Sequence, residues 1–192
     1  MYPIVRVVKE YLSASKMPPL TALEAHTSHH RCWPQDIDHY LEMNNGRILS
    51  ILDIGRTGLA ARVGLITALR QNHWGLTIAG SSLRYRKRIR PFVKFRTLSR
   101  CIGWDHRFFY IEQSIWIGDD CAVQALYRSA VTNENGIVPP QDVFAAVGYE
   151  GVSPPLPRWA QAWVDADNTR PWPPEFDGVT DTANDGTSGK AA

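Results

Sequence analysis

The spacing of apolar residues changes character once along this chain, near residue 72, from a helical period to strict alternation. Before that point Ile4, Val5, Val8, Tyr11 and Leu12 fall at helical intervals, with Lys9, Glu10 and Lys16 on the other side. This spacing predicts a short amphipathic helix packed on the domain. Two lysines and Arg6 make only a weak basic face for a membrane-surface helix. Pro18 and Pro19 end the segment. Ala25 to Trp33 reads as a strand and Pro34–Met43 as a loop. From Arg47 to Leu69 a stripe of Ile48, Ile51, Leu52, Leu59, Val63 and Ile66, widened by Ile54, Ala60, Leu65 and Leu69, predicts one long and mostly buried helix. Gly55, Gly58 and Gly64 each cost roughly 1 kcal/mol relative to alanine there, which is tolerable where another backbone must come close. Asparagine is a favoured N-cap, so the helix is expected to start near Asn45.

After Asn72 the stretches Trp74–Arg90, Phe92–Trp104, Arg107–Gly118 and Cys121–Thr132 alternate apolar and polar residues and are joined by tight turns such as Asp119-Asp120. They predict an antiparallel meander. Phe109, Ile111, Ile115 and Ile117 share one face of the third strand, and Tyr110, Glu112, Ser114 and Trp116 the other. Pro139 and Pro140 lead into a short helix, Gln141–Ala146. The expected architecture is α+β, a curved antiparallel sheet wrapped around one long central helix. Such a sheet leaves an edge strand open, and pairing of two copies into a homodimer or higher oligomer is the natural remedy. The expected divisions are an N-terminal helix and linker (1–24), the sheet-and-helix domain (25–148), a segment (149–164) whose Trp159, Ala160, Trp163 and Val164 form an apolar turn docking on it, and an acidic, disordered tail (165–192).

The composition is that of a soluble globular domain: 192 residues, 44% hydrophobic and 21% charged. No apolar run is long enough to span a membrane, and the N-terminus lacks a signal-peptide pattern. Cys32, Cys101 and Cys121 form no CxxC pair, which favours a reduced, cytoplasmic setting. The net charge of +2 conceals an asymmetry. Residues 165–192 hold six acids and two bases, whereas the first 164 carry 19 bases against 13 acids.

Chemistry concentrates in the segment Cys32–Arg47, where Asp36, Asp38 and Glu42 precede a helix N-terminus. The first-turn N–H groups of a helix lack intrahelical acceptors and carry positive partial charge, so they can hold the oxyanion formed when a carbonyl is attacked. A carboxylate just upstream can activate water or attack directly. The plainer reading makes Asp36 and Asp38 turn formers and Asn44 and Asn45 a helix cap.

The run Asp36-Ile37-Asp38 followed by Met43-Asn44-Asn45-Gly46-Arg47 resembles the signature of the hotdog-fold acyl-CoA thioesterases, in the thioesterase-like branch of the 4-hydroxybenzoyl-CoA thioesterase superfamily. Tyr85 to Pro91, Gly103-Trp104-Asp105 and Phe109–Glu112 resemble it too, and the similarity covers about residues 25–148. The resemblance implies a hotdog fold, hydrolysis of an acyl-CoA or related thioester, Asp38 as general base or nucleophile, and Asn44 and Asn45 shaping the thioester site. It implies no cofactor or metal, a dimer interface beside the central helix, and an acyl chain running along Ile48, Ile51 and Leu52. The oxyanion is expected at N–H groups near Asn45–Arg47. The sequence departs from the signature at Glu42, where the branch usually has His, and at Leu41, where Gly is frequent. A second carboxylate near Asp38 raises one pKa of such a pair. Two rival functions stay open: a non-catalytic acyl- or lipid-binding hotdog module, and a hotdog hydratase or dehydratase, for which His39 is the loop's own histidine.

Between Arg84 and Arg100 lie eight bases and no acid. Alternation places Arg84, Arg86, Arg88 and Arg90 on one strand face, where they would grip the phosphates of coenzyme A; Arg47, Ile48 and Tyr85 are further candidates for binding substrate. A solvated sheet edge is the plain alternative. Tyr85 and Phe92 interleave with the bases, but no RNA-binding signature is present and no nucleic-acid partner is expected. His26, His30 and Cys32 share a strand face without a standard metal-ligand spacing, and read as partly buried strand residues. Cys101 and Cys121 read as core residues.

Overall fold

The computed structural model describes residues 3–174. They divide into two units, one ending at Leu156 and the other beginning at Pro157. The first opens with helix α1 (Ile4–Ala14), strand β1 (His26–Arg31), a single 3₁₀ turn at Pro34–Asp36, and helices α2 (Asn45–Arg62) and α3 (Leu65–Gln71). The meander follows as β2 (Gly75–Tyr85), β3 (Lys94–Trp104), β4 (Phe109–Ile117), β5 (Asp120–Asn133) and the short β6 (Gly136–Val138), and α4 (Pro140–Ala146) closes it. The strands make one antiparallel sheet in the order β1-β3-β4-β5-β2, with β6 also on β5. Ile51, Leu52 and Ile54 of α2 are fully buried with Phe95, Ile111, Ile115 and Val123 of the sheet. The α+β, helix-in-curved-sheet expectation is borne out.

The stretch 47–69 is two helices. Gly64 has φ +80, a left-handed conformation that side-chain-bearing residues avoid, and it breaks the run after Arg62. The other two glycines have a different reason from the one expected. A Cβ at Gly55 would stand 2.9 Å from Thr97 Oγ1 and 3.0 Å from Ser99 Oγ, and one at Gly58 would overlap the His26 ring and approach Glu10 Oε1 at 2.7 Å. Polar side chains, and no second backbone, occupy the room that glycine leaves. They belong to a buried polar seam in which Gln113 donates to Leu52 O (2.8 Å) and Ser99 Oγ (2.6 Å) and accepts from Arg56 (2.7 Å). This seam satisfies polar groups that would otherwise be costly to bury.

Helix α1 is turned opposite to the expectation. The stripe of Ile4, Val5, Val8 and Leu12 faces outward, Val5 being 82% exposed, Ile4 65%, Leu12 53% and Val8 50%, while Val7 and Ala14 pack inward. Arg6 and Glu10 point inward, where Arg6 meets Asp36 at 2.8 Å and Glu10 Oε1 accepts from His26 Nε2 at 2.8 Å. Polar pairing outweighs burial of the stripe here because both partners, Asp36 in the loop and His26 on β1, are buried and held in place.

The basic strand is shorter than alternation predicts. β2 ends at Tyr85, and residues 86–90 run on as an irregular segment, so Arg86, Arg88 and Arg90 do not continue the face of Arg84. In the second unit, Trp159, Ala160, Trp163 and Val164 lie on a helix, α5 (Arg158–Asn168), rather than in a turn, and its helical conformation extends into the expected tail as far as Asn168. The rest of that tail, 175–192, lies outside the described residues. Among the described residues no helix is long and apolar enough to cross a membrane.

Candidate active site

The loop from Cys32 to Asn44 is built on the backbone of the segment that follows β2. Cys32 N–H donates to Val93 O (3.0 Å), Phe92 N–H to Cys32 O (2.7 Å) and Met43 N–H to Ile89 O (2.8 Å). These bonds tie the loop entering α2 to the irregular basic stretch, although some fifty residues separate them in sequence. Within the loop, Asp38 N–H donates to Glu42 O (2.9 Å) and Leu41 N–H to Asp38 O (3.1 Å). Leu41 takes φ +58 at the tip of this turn, the conformation glycine favours.

The carboxylates of the loop occupy different environments. Asp36 is 2% exposed. One oxygen accepts from Arg6 (2.8 Å) and from the Trp33 N–H (2.9 Å), and the other faces Arg47 Nε at 3.1 Å. Asp36 is thus a charge-paired anchor, and Arg47, expected at the substrate, is turned toward it. Asp38 is half-buried, with Oδ1 accepting from the Tyr40 N–H at 2.8 Å. Glu42 Oε2 faces Arg88 Nε at 3.0 Å. At the helix start, Asn44 is the N-cap, its Oδ1 accepting from the Gly46 N–H at 2.9 Å. That amide of the expected oxyanion cluster is therefore already engaged.

A cavity of about 200 Å³ opens at this end of α2. It brings together Glu42, Asn45, Ile48, Tyr85, Arg86 and Arg88, all expected at the site, and adds Met43, Lys87 and Ile89. Asp38, Asn44, Arg47 and Arg84 do not line it. The added residues sit beside recognised ones in sequence; what alternation could not reveal is that the basic stretch folds over the helix start. Burial pushes the Tyr85 phenol up, so it stands at the wall as a neutral hydroxyl. Ile51 and Leu52 are sealed in the core and do not line this cavity. A separate apolar cavity of about 70 Å³ lies farther along α2, against Leu59, Ala60 and Val63, and opens beside Leu76 and Ile78 of β2.

The remaining reactive groups take no part in this arrangement. Burial pushes the Cys32 and Cys101 thiols up to about 11, leaving them protonated and non-nucleophilic. His39 is exposed and packs against Tyr40, with ring centroids 3.9 Å apart and the rings tilted by 42°. His30 bonds to Ser28 Oγ at 2.9 Å, and burial, which outweighs the pull of Glu10, pushes its imidazole down to about 4. Unfolded, the ring takes its proton near 6.5, so the folded state is penalised as pH falls from there toward 4. Denaturant titration is expected to show about 2 kcal/mol less stability at pH 5 than at pH 7 from this group, a slope that His30→Gln flattens. An unchanged slope in that variant contradicts the assignment.

Comparison with known proteins places this geometry. The chain is 31% identical over 138 residues to Protein THEM6 of Drosophila melanogaster, covering 70% of this chain and 69% of that protein. Its fold matches the probable thioesterase YbaW of Escherichia coli with a TM-score of 0.60 at 12% identity, covering 66% of this chain and 98% of that one. It also matches a 1,4-dihydroxy-2-naphthoyl-CoA thioesterase from Synechocystis, with a TM-score of 0.56 at 9% identity, covering 65% and 95%. These likenesses identify a hotdog fold. Residues 32–164 match the sequence profile of the thioesterase-like superfamily, from the loop at Cys32 through the whole meander. A match over more than half the chain establishes kinship where shape alone does not, and the chain belongs to the thioesterase-like superfamily.

Proposed function

We propose that this protein hydrolyses an acyl-CoA or closely related acyl thioester at the start of α2. The observation that carries the reading is the cavity where a helix N-terminus, a carboxylate loop and three cationic side chains meet. Superfamily membership supports thioester hydrolysis as the class of reaction. In the proposed step Asp38 takes a proton from a water that attacks the thioester carbon, and the first-turn N–H of Asn45 faces the oxyanion. Collapse of that intermediate breaks the C–S bond, releasing the carboxylic acid and the thiolate, which takes the proton from Asp38. If Asp38 attacks the carbon itself, the thiolate leaves first; water then hydrolyses the acyl–Asp38 anhydride, supplying the thiolate's proton and restoring the carboxylate. Asn44 holds the helix start rigid by capping it. Arg86, Lys87 and Arg88 suit the phosphates of the carrier, with Arg88 also aligned by Glu42. The acyl chain passes Ile48 along α2 in the direction of the apolar cavity at Leu59 and Val63. Release of free thiol from a panel of acyl-CoAs tests the reading; tight acyl-CoA binding with no release at any chain length would establish the acyl-binding module, which the Glu42–Arg88 pair at the usual His position favours.

The working unit is proposed to be a homodimer paired through β2. This strand spans eleven residues at the sheet edge, and Leu76 and Ile78 on it are 46% and 41% exposed. A long apolar edge invites pairing with another strand. Sedimentation is expected to give twice the chain mass, and Ile78→Lys to lower it to the monomer; a monomeric wild type would remove the pairing.

A further inference from the structure

We propose that the face formed by α1 and the outer edge of β1 is a docking surface for an anionic lipid bilayer. The apolar residues Ile4, Val5, Val8 and Leu12 make an exposed stripe along one side of α1, and Met17, 41% exposed, extends it beyond the helix. A contiguous apolar stripe held outward while charged residues of the same helix turn inward needs a cover. The helix by itself offers few cations. The fold supplies others: a groove of about 430 Å³ flanks the stripe, with Lys9 at its border and Arg31, Lys94 and Arg96 in its wall. Register explains why these gather. Arg31 lies opposite Lys94 and His29 opposite Arg96, and Arg96 lies opposite Trp116, so their side chains emerge on the same sheet face.

The groove's chemistry is that of a headgroup layer. Glu10 is the acid among its lining residues, turned toward His26, and Lys9, Arg31, Lys94 and Arg96 outnumber it, so the wall is cationic on balance. Trp33 is 41% exposed with Arg31 5.5 Å from its ring, and Arg96 stands 5.6 Å from the Trp116 ring. Indole rings beside cations suit the boundary between acyl chains and phosphates. An amphipathic helix with flanking Lys and Arg lies in that plane, its apolar side in the acyl boundary and its charges at the phosphates. Charge disfavours a second copy as the cover, because pairing α1 with α1 brings two sets of these cations together. The apolar edge suited to self-association is β2, at the other end of the strand order. The Arg6–Asp36 pair joins the docking helix to the loop that carries Asp38 and Glu42.

Vesicle flotation of the full chain, without substrate, tests this independently of any hydrolase activity. The protein is expected to float with phosphatidylcholine vesicles containing phosphatidylserine, at least about tenfold more than with phosphatidylcholine alone, and to be released by high salt. Lys9→Gln with Lys94→Gln is expected to lower partitioning by about fivefold for each charge removed. Val5→Glu with Val8→Gln removes the apolar stripe without touching a buried group, and Glu near a helix N-terminus favours the helix, so the fold is retained and flotation is lost. Absent flotation, equal binding to neutral and anionic vesicles, or flotation indifferent to Val5→Glu and Val8→Gln overturns the proposal. So does a fall in oligomer mass on those substitutions in the absence of lipid, which assigns the stripe to a contact between copies.

Discussion

Replacing Asp38 by asparagine is expected to lower the rate of thiol release at least about a hundredfold, while Glu42→Gln costs less than about tenfold and acts mainly on KM. The substitution of Asp38 keeps its shape and its acceptor for the Tyr40 N–H, which Oδ1 takes at 2.8 Å, and removes only the charge that would accept a proton or attack carbon. Loss of a positioned general base is typically worth 10² or more, about 3 kcal/mol of barrier. Glu42 already faces Arg88 at 3.0 Å, so its charge is matched within the protein. Neutralising it frees Arg88 to move and loosens the wall expected to meet the carrier, which is felt in binding. The pair is informative because the loop turn holds the two residues together, with Asp38 N–H on Glu42 O at 2.9 Å. Full activity in Asp38→Asn with loss in Glu42→Gln would transfer the base to Glu42, which lines the cavity where Asp38 does not.

Asp36→Asn should be the most destabilising substitution in the loop, by about 3 kcal/mol, a fall in Tm of about 10 °C for a domain of this size. The side chain of Asp36 is 1% exposed, while those of its partners Arg6 and Arg47 are 19% and 17% exposed. Removing the carboxylate leaves two largely desolvated guanidinium groups facing an amide. A buried pair contributes little net stability compared with an apolar substitute, but breaking it from one side is costly because the other charge stays behind. Arg6→Gln is expected to cost less, since Arg47 and the Trp33 N–H still serve Asp36. Melting of Asp36→Asn at the wild-type temperature would show that the three charges are not coupled as their geometry implies. The two experiments separate the roles of the D-x-D motif: Asp36 holds the loop, and Asp38 is assigned the chemistry.

How much was legible differs between the elements. The helix start was readable because capping is local: Asn44 bonds an amide two residues away, at Gly46. The meander was readable because strand alternation is local too, and β3, β4 and β5 lie within a few residues of their expected bounds. Arg47 shows the limit. Its position in the signature suggests a substrate contact, yet its Nε stands 3.1 Å from Asp36, a partner chosen by the turn of the intervening loop. Arg86 and Arg88 line the cavity for a reason other than the one expected. Alternation put them on a strand face, whereas they reach the cavity because the chain leaves β2 at Tyr85 and bonds back to the loop through Ile89 and Met43.

By itself the sequence determined the class of fold, the place where the central helix begins and the clustering of Asp36, Asp38 and Glu42 just before it, since each is written in periods of two to four residues and in short-range capping. Only the tertiary structure decided which way α1 faces. Its apolar stripe should have turned inward by hydrophobicity alone, and the partners that hold Arg6 and Glu10 inward instead, Asp36 and His26, lie 30 and 16 residues away. Tertiary structure also decided that Asp36 is an anchor and that a basic loop covers the start of α2. Those outcomes rest on charges and backbone groups meeting across long sequence separations, which no local pattern of apolar and polar positions records.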